Sequence, residues 1–217
     1  MKQEHIELLS KIEAFVHDAN DICFLGLIGS GSNNGNLNDD YSDIDLVVVS
    51  DNYSTYFNTV KWLHSIDEVW MTFTESIPDL NHWERRCIFR NGIDVDFVLV
   101  DKTKLISDNN EFPVLKEICH STLKVLFDNG NIIRYFNNII SEKKEFSFPD
   151  EIEYNNVIND FYFHYLWTLK KCLRGEYWIA LQCINGYLKQ RTLKMLEWYE
   201  HSLHGKYYNT FYNGSYL

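Results

Sequence analysis

The sequence predicts an α+β chain: a mixed sheet with flanking helices in its N-terminal part, followed by a helical bundle. Three observations carry that expectation. Short apolar runs bounded by turn residues stand at Phe24–Ile28, Ile44–Val49 and Val95–Val100, the pattern of buried strands. After Leu115 the apolar residues move to helical spacing. Between the two regimes, Phe146-Ser147-Phe148-Pro149-Asp150 reads as a linker. The expected boundaries are therefore 1–145 and 150–217.

In chain order, Ile6, Leu9, Ile12 and Val16 fall at helical intervals and predict an opening helix that packs on the sheet. Phe24-Leu25-Gly26-Leu27-Ile28 is a strand that runs into the turn Gly29-Ser30-Gly31-Ser32. Ile44–Val49 follows as a second strand and Val95–Val100 as a third, with Glu68–Phe73 as a further strand beside them. Glu84-Arg85-Arg86 is expected to be an exposed charge cluster. From Tyr154 to about Glu200 the helical spacing predicts antiparallel helices that turn at Arg174-Gly175-Glu176, with Tyr162, Tyr165, Trp167, Trp178 and Trp198 in their core. His64, His82, His120, His164, His201 and His204 stand without a paired Asp or nucleophile motif and are expected to be structural or exposed.

The chemistry is concentrated at the head of the second strand. Alternate residues of a strand share a face, so Asp43 and Asp45 stand together while Ile44, Leu46 and Val48 face the other way. Two adjacent acids repel unless a cation lies between them, and hard oxygen donors of this kind suit Mg²⁺ together with substrate phosphates. The preceding Gly29-Ser30 turn lets the backbone approach a phosphate and adds a hydroxyl donor. No Gly-Lys-Ser/Thr follows, so it is not a Walker A loop. In Asn91-Gly92-Ile93-Asp94-Val95-Asp96-Phe97 the alternation returns and places Asp94 and Asp96 on one face, either of which can supply a third acid.

This constellation resembles the nucleotidyltransferase superfamily, whose signature is a Gly-Ser turn, a spacer, an Asp-x-Asp strand and a third Asp on a later strand. Here the matching residues are Gly29, Ser30, Asp43, Asp45 and Asp96, with Asp94 as the alternative third acid; in the family the apolar strand follows that acid directly, as Phe97-Val98-Leu99-Val100 follow Asp96. Asn159-Asp160-Phe161-Tyr162, Lys170, Arg174-Gly175-Glu176, Lys189 and Leu193-Lys194-Met195-Leu196-Glu197-Trp198 are similar to the helical domain of aminoglycoside 6-adenylyltransferases. Leu123–Asp128 is similar to a segment between the domains of the same family. The resemblance implies a polymerase-beta-like catalytic domain over 1–145 and a helical substrate- and nucleotide-binding domain over 150–217, shorter than in typical members.

It further implies Mg²⁺-dependent transfer of AMP from ATP to a hydroxyl of an aminoglycoside of streptomycin type. Asp43, Asp45 and Asp96 would hold the metal, Asp96 would also act as base, and Gly29 and Ser30 would meet the nucleotide. Lys189, then Lys170 and Arg174, would neutralise the departing pyrophosphate. The alternatives are a lincosamide nucleotidyltransferase and a catalytically silent nucleotide-binding relative.

Bulk properties narrow the partners. The formal net charge of −11 disfavours a nucleic-acid acceptor and suits a cationic small molecule. Five cysteines, odd in number and without zinc spacing, suggest a reducing compartment. No run approaches the ~18 apolar residues of a membrane span, and the N-terminus carries no apolar signal core. A cytoplasmic enzyme, monomeric or homodimeric, is expected.

Overall fold

In a computed structural model of the chain, residues 3–29, 42–77, 82–107, 112–137, 146–208 and 210 are described. The chain divides into two compact units, Met1–Ser141 and Glu142–Leu217. Among the described residues no helix is long and apolar enough to cross a membrane.

The first unit begins with helix α1 (Gln3–Asp18), whose buried stripe is His5, Leu8, Ile12 and Val16. Ile6, expected on that stripe, is exposed, so the buried face is rotated by one position. Strands β1 (Ile22–Ile28) and β2 (Ile44–Ser50) follow, then the short helices α2 (Tyr53–Asn58) and α3 (Lys61–Ile66). A hairpin of β3 (Val69–Ile77) and β4 (His82–Phe89) leads through a 3₁₀ turn, Arg90–Gly92, into β5 (Ile93–Asp101). Helices α4 (Lys102–Ser107) and α5 (Pro113–Thr122), strand β6 (Lys124–Asp128) and helix α6 (Arg134–Asn137) complete the unit. The six strands form one mixed sheet in the order β3-β4-β5-β2-β1-β6, with β2 and β5 parallel and every other pair antiparallel.

Both faces of the sheet are covered, which is why all seven residues of β1 are buried and why the central strands read as continuous apolar runs. On one face Leu46, Val48, Phe97 and Leu99 join residues of α1, α2 and α3. On the other, Val47, Val49, Val98 and Val100 join residues of α4, α5 and α6. At the heads of β2 and β5 this second face changes from valine to aspartate.

Two expectations need correction here. Lys124–Asp128 lies in a stretch read as helical but forms strand β6, because its backbone pairs with the edge of β1 opposite β2. Glu84-Arg85-Arg86 is no exposed cluster: it lies inside β4, with Glu84 at 6% and Arg85 at 7% exposure. Arg85 is tolerated there because its guanidinium donates to the carbonyl of Phe57, in the last turn of α2.

The second unit is helical. Asp150 caps helix α7 (Glu151–Leu173), its carboxylate accepting the Glu153 N–H at 2.7 Å. Gly175, at φ +77°, turns the chain into helix α8 (Tyr177–Gln182). A π-helical turn, Cys183–Leu188, then leads into helix α9 (Lys189–His204). Helices α7 and α9 run antiparallel: Lys194 meets Glu153 at 2.8 Å, and further along Arg191 and Tyr187 both donate to Asp160. His164, expected to lack an acidic partner, also pairs with Asp160, at 2.9 Å. Phe146, read as linker, stacks on His201 with ring centroids 3.7 Å apart. Of the aromatics expected in the core, Trp198 is buried and Trp167 half-buried, whereas Tyr162, Tyr165 and Trp178 are exposed. Helical periodicity identifies a shared face but not whether a partner lies against it.

Candidate active site

The parallel pairing of β2 with β5 sets Asp45 directly opposite Asp96. Asp43 stands two residues before Asp45 and so shares its face. One carboxylate oxygen from each of Asp43, Asp45 and Asp96 lies within 4.8 Å of the other two. Asp94, the alternative third acid, is exposed and outside this group, although it lines the same cleft as Asp43 and Asp96.

The cluster is short of positive charge. Burial, then Asp43, Asp96 and Glu84, push the Asp45 carboxyl up to about 7 against the downward pull of Arg86. Burial likewise raises Asp96, with Arg86 opposing and Asp43 and Asp94 reinforcing. Glu84, buried beside them, is pushed up to about 7 by burial and by Asp96. Three hard oxygen donors this close need little movement to share one Mg²⁺, whose ligand oxygens stand roughly 2.0–2.1 Å from the ion. The donor set therefore fits the metal that the sequence suggests.

Gly29 follows β1 at φ +67°. Since Ile28 pairs with Asp45, this glycine lies next to the carboxylate, and a Cβ on it would stand 2.5 Å from Asp45 Oδ2. Its N–H donates to Thr122 Oγ1 at 3.2 Å, which ties the turn to the end of α5. Gly29 thus gives Asp45 room, while its backbone N–H is engaged within the protein. Ser30 lies outside the described residues.

The three cations read from the sequence belong to the second unit. Lys170 is exposed in the last turn of α7, Lys189 is exposed at the start of α9, and Arg174 sits on the intervening turn with Nη1 4.0 Å from Glu176. Glu176 is held more closely by Lys171, at 2.6 Å.

Arg86 is the residue around the carboxylates that the sequence reading placed wrongly. It lies opposite Asp96 across the β4–β5 pair, with Nε 3.5 Å from Asp96 and 2.8 Å from Glu75, and Nη2 3.4 Å from Glu84. The available signal was the hairpin: a strand at 69–77 followed by the apolar run Cys87-Ile88-Phe89 into the Gly92 turn. The charged residues Glu84, Arg85 and Arg86 hid the strand that leads into that run.

The streptomycin adenylyltransferase family model matches residues 1–217. An aminoglycoside 6-adenylyltransferase of Staphylococcus aureus is 22% identical over 204 residues, spanning 89% of this chain and 68% of that protein. Among solved structures, an aminoglycoside 6-adenyltransferase from Bacillus subtilis is similar at 14% identity with a TM-score of 0.38, covering 94% of this chain and 69% of that one.

Proposed function

Because the chain belongs to the streptomycin adenylyltransferase family, and so to the nucleotidyltransferase enzymes, we propose that it moves AMP from ATP, with Mg²⁺, to a hydroxyl of an aminoglycoside. The observation that best supports this is the convergence of Asp43, Asp45 and Asp96 at the heads of two parallel strands. AMP transfer is an in-line displacement at the α-phosphorus and needs charge neutralised on both the entering and the leaving side. Asp43, Asp45 and Asp96 would hold the metal, which when bound supplies a Lewis acid that draws charge from the phosphoryl oxygens.

The chain's own groups do the rest. Asp96, whose carboxyl is raised by burial in the metal-free protein, is assigned the proton of the acceptor hydroxyl. Arg86 limits that rise and fixes the carboxylate from the neighbouring strand. Gly29 keeps the space beside Asp45 clear. Residues 1–145 form the catalytic domain in this proposal, and 150–217 the helical domain that carries Lys189, Lys170 and Arg174 for the leaving pyrophosphate. With ATP as donor, the proposed setting is the cytoplasm.

The test is to incubate the protein with ATP, Mg²⁺ and a panel of aminoglycosides and lincosamides, then weigh the products. A gain of one adenylyl group on a streptomycin-type compound is expected. Gain on a lincosamide alone would move the assignment to that acceptor, and no gain on any compound would contradict a transferase.

A further inference from the structure

We propose that Met71 and Phe73 of β3, with Asp94 of β5, form the subsite that seats one hydroxylated, cationic ring of the acceptor beside the three carboxylates; this rests on the transferase reading above. The sheet register lays out the site. Phe73 pairs with Arg86, Arg86 with Asp96, and Asp96 with Asp45, so one row across four strands runs from an aromatic ring to the proposed metal ligands. In the next row Met71 pairs with Ile88 and Ile88 with Asp94. Residues paired in this way present their side chains on the same face. Met71, Phe73, Arg86 and Asp94 accordingly line one cleft with Asp43 and Asp96.

The cleft measures about 170 Å³. Pockets that enclose a whole drug-sized ligand run to roughly 300–1,000 Å³, so this one takes a single ring of a larger molecule. Its lining combines two features that an aminated sugar or cyclitol ring also combines. Met71 and Phe73 are half exposed, at 56% and 51%, and offer an apolar floor to the C–H face of such a ring. An ammonium or guanidinium on its rim finds the Phe73 ring face and the Asp94 carboxylate.

Asp94 is the acid left for this task. Asp43 and Asp96 are committed to the metal, whereas Asp94 lies outside that group and has no hydrogen-bond or ion-pair partner among the described residues. Arg86 does not repel a cationic ring, because its charge is taken up by Glu75, Glu84 and Asp96. Strands are about 4.8 Å apart, so Phe73, two strands from Asp96, lies about 10 Å from it. A ring resting on Phe73 and Asp94 therefore turns its far hydroxyl toward Asp96.

Steady-state kinetics of the full chain with streptomycin, ATP and Mg²⁺ test the subsite in Asp94→Asn, Phe73→Ala and Phe73→Trp. Asp94→Asn and Phe73→Ala are each expected to raise the KM for streptomycin about tenfold, with kcat, the KM for ATP and the Mg²⁺ dependence unchanged. Phe73→Trp keeps a ring face and should stay near wild type. Both positions are exposed, so melting temperatures should not move. Unchanged KM for streptomycin in both removing variants, with an active wild type, overturns the subsite alone. A shifted Mg²⁺ requirement in Asp94→Asn also overturns it, by making Asp94 a metal ligand. No adenylylation of streptomycin by the wild type removes the streptomycin-type acceptor and the subsite together.

Discussion

Gly29 shows how tightly single residues are specified at the carboxylate cluster. Its left-handed backbone, φ +67°, already disfavours any side chain by about 1–2 kcal/mol, and a methyl group would strike Asp45 Oδ2 at 2.5 Å. Gly29→Ala should therefore lower both the melting temperature, by several degrees, and turnover, since Asp45 must move. Unchanged values in thermal melts and kinetic assays would show that Asp45 has no fixed place. Asp43→Asn and Asp45→Asn each remove an anionic donor at constant size and should lower turnover by orders of magnitude. Stability should respond the opposite way at Asp45: its carboxyl is held up near 7 by burial and by like charges, so an amide there removes an unfavourable ionisation. Calorimetric melts at pH 8 without metal should find Asp45→Asn at least as stable as the wild type.

At the level of strands, the register of β2, β5 and β4 concentrates acids around one arginine, and this gives the metal-free protein a pH signature. Asp45 and Glu84 have folded-state pKa values raised from ordinary carboxylate levels to about 7. Between those values the folded chain holds more protons than the unfolded one, so stability is greatest below that window and falls as pH rises through it. In chelator the melting temperature should drop from pH 5 to pH 8, and Mg²⁺ should restore much of it at pH 8 but little at pH 5. A rise in stability across that range without metal would contradict the crowding. The parts of this arrangement differ in how legible they are. Strands β1, β2 and β5 announce themselves because burial on both faces forces unbroken apolar runs, and the Asp-x-Asp heads of β2 and β5 stand out against those runs. β4 does not, since Glu84 and Arg86 occupy its site face and Arg85 is buried by a bond to a helix carbonyl. Nor does the exposure of Tyr162 and Trp178 follow from their spacing, because pairing partners and register are properties of the folded chain.

For the whole molecule, charge links the fold to its acceptor. A chain of net charge −11 with Asp43, Asp94 and Asp96 in one cleft should draw in a cationic sugar through forces screened over about 8 Å at physiological ionic strength. Titration calorimetry should show affinity for streptomycin falling clearly as salt rises, and a much shallower dependence for a lincosamide; equal slopes would remove charge from the account. At the second unit, Lys189→Ala should weaken ATP binding more than AMP binding, because the lost cation is assigned to the β and γ phosphates. Equal effects on the two nucleotides would make Lys189 an ordinary surface lysine. The central claim is that the three clustered carboxylates carry out nucleotidyl transfer, and Asp96→Asn tests it most directly. With ATP and Mg²⁺ at concentrations where calorimetry shows the variant saturated, adenylylated streptomycin should be undetectable by mass spectrometry while Asp94→Asn, at saturating acceptor, still forms it. Product from Asp96→Asn at a rate near that of the wild type would contradict the claim.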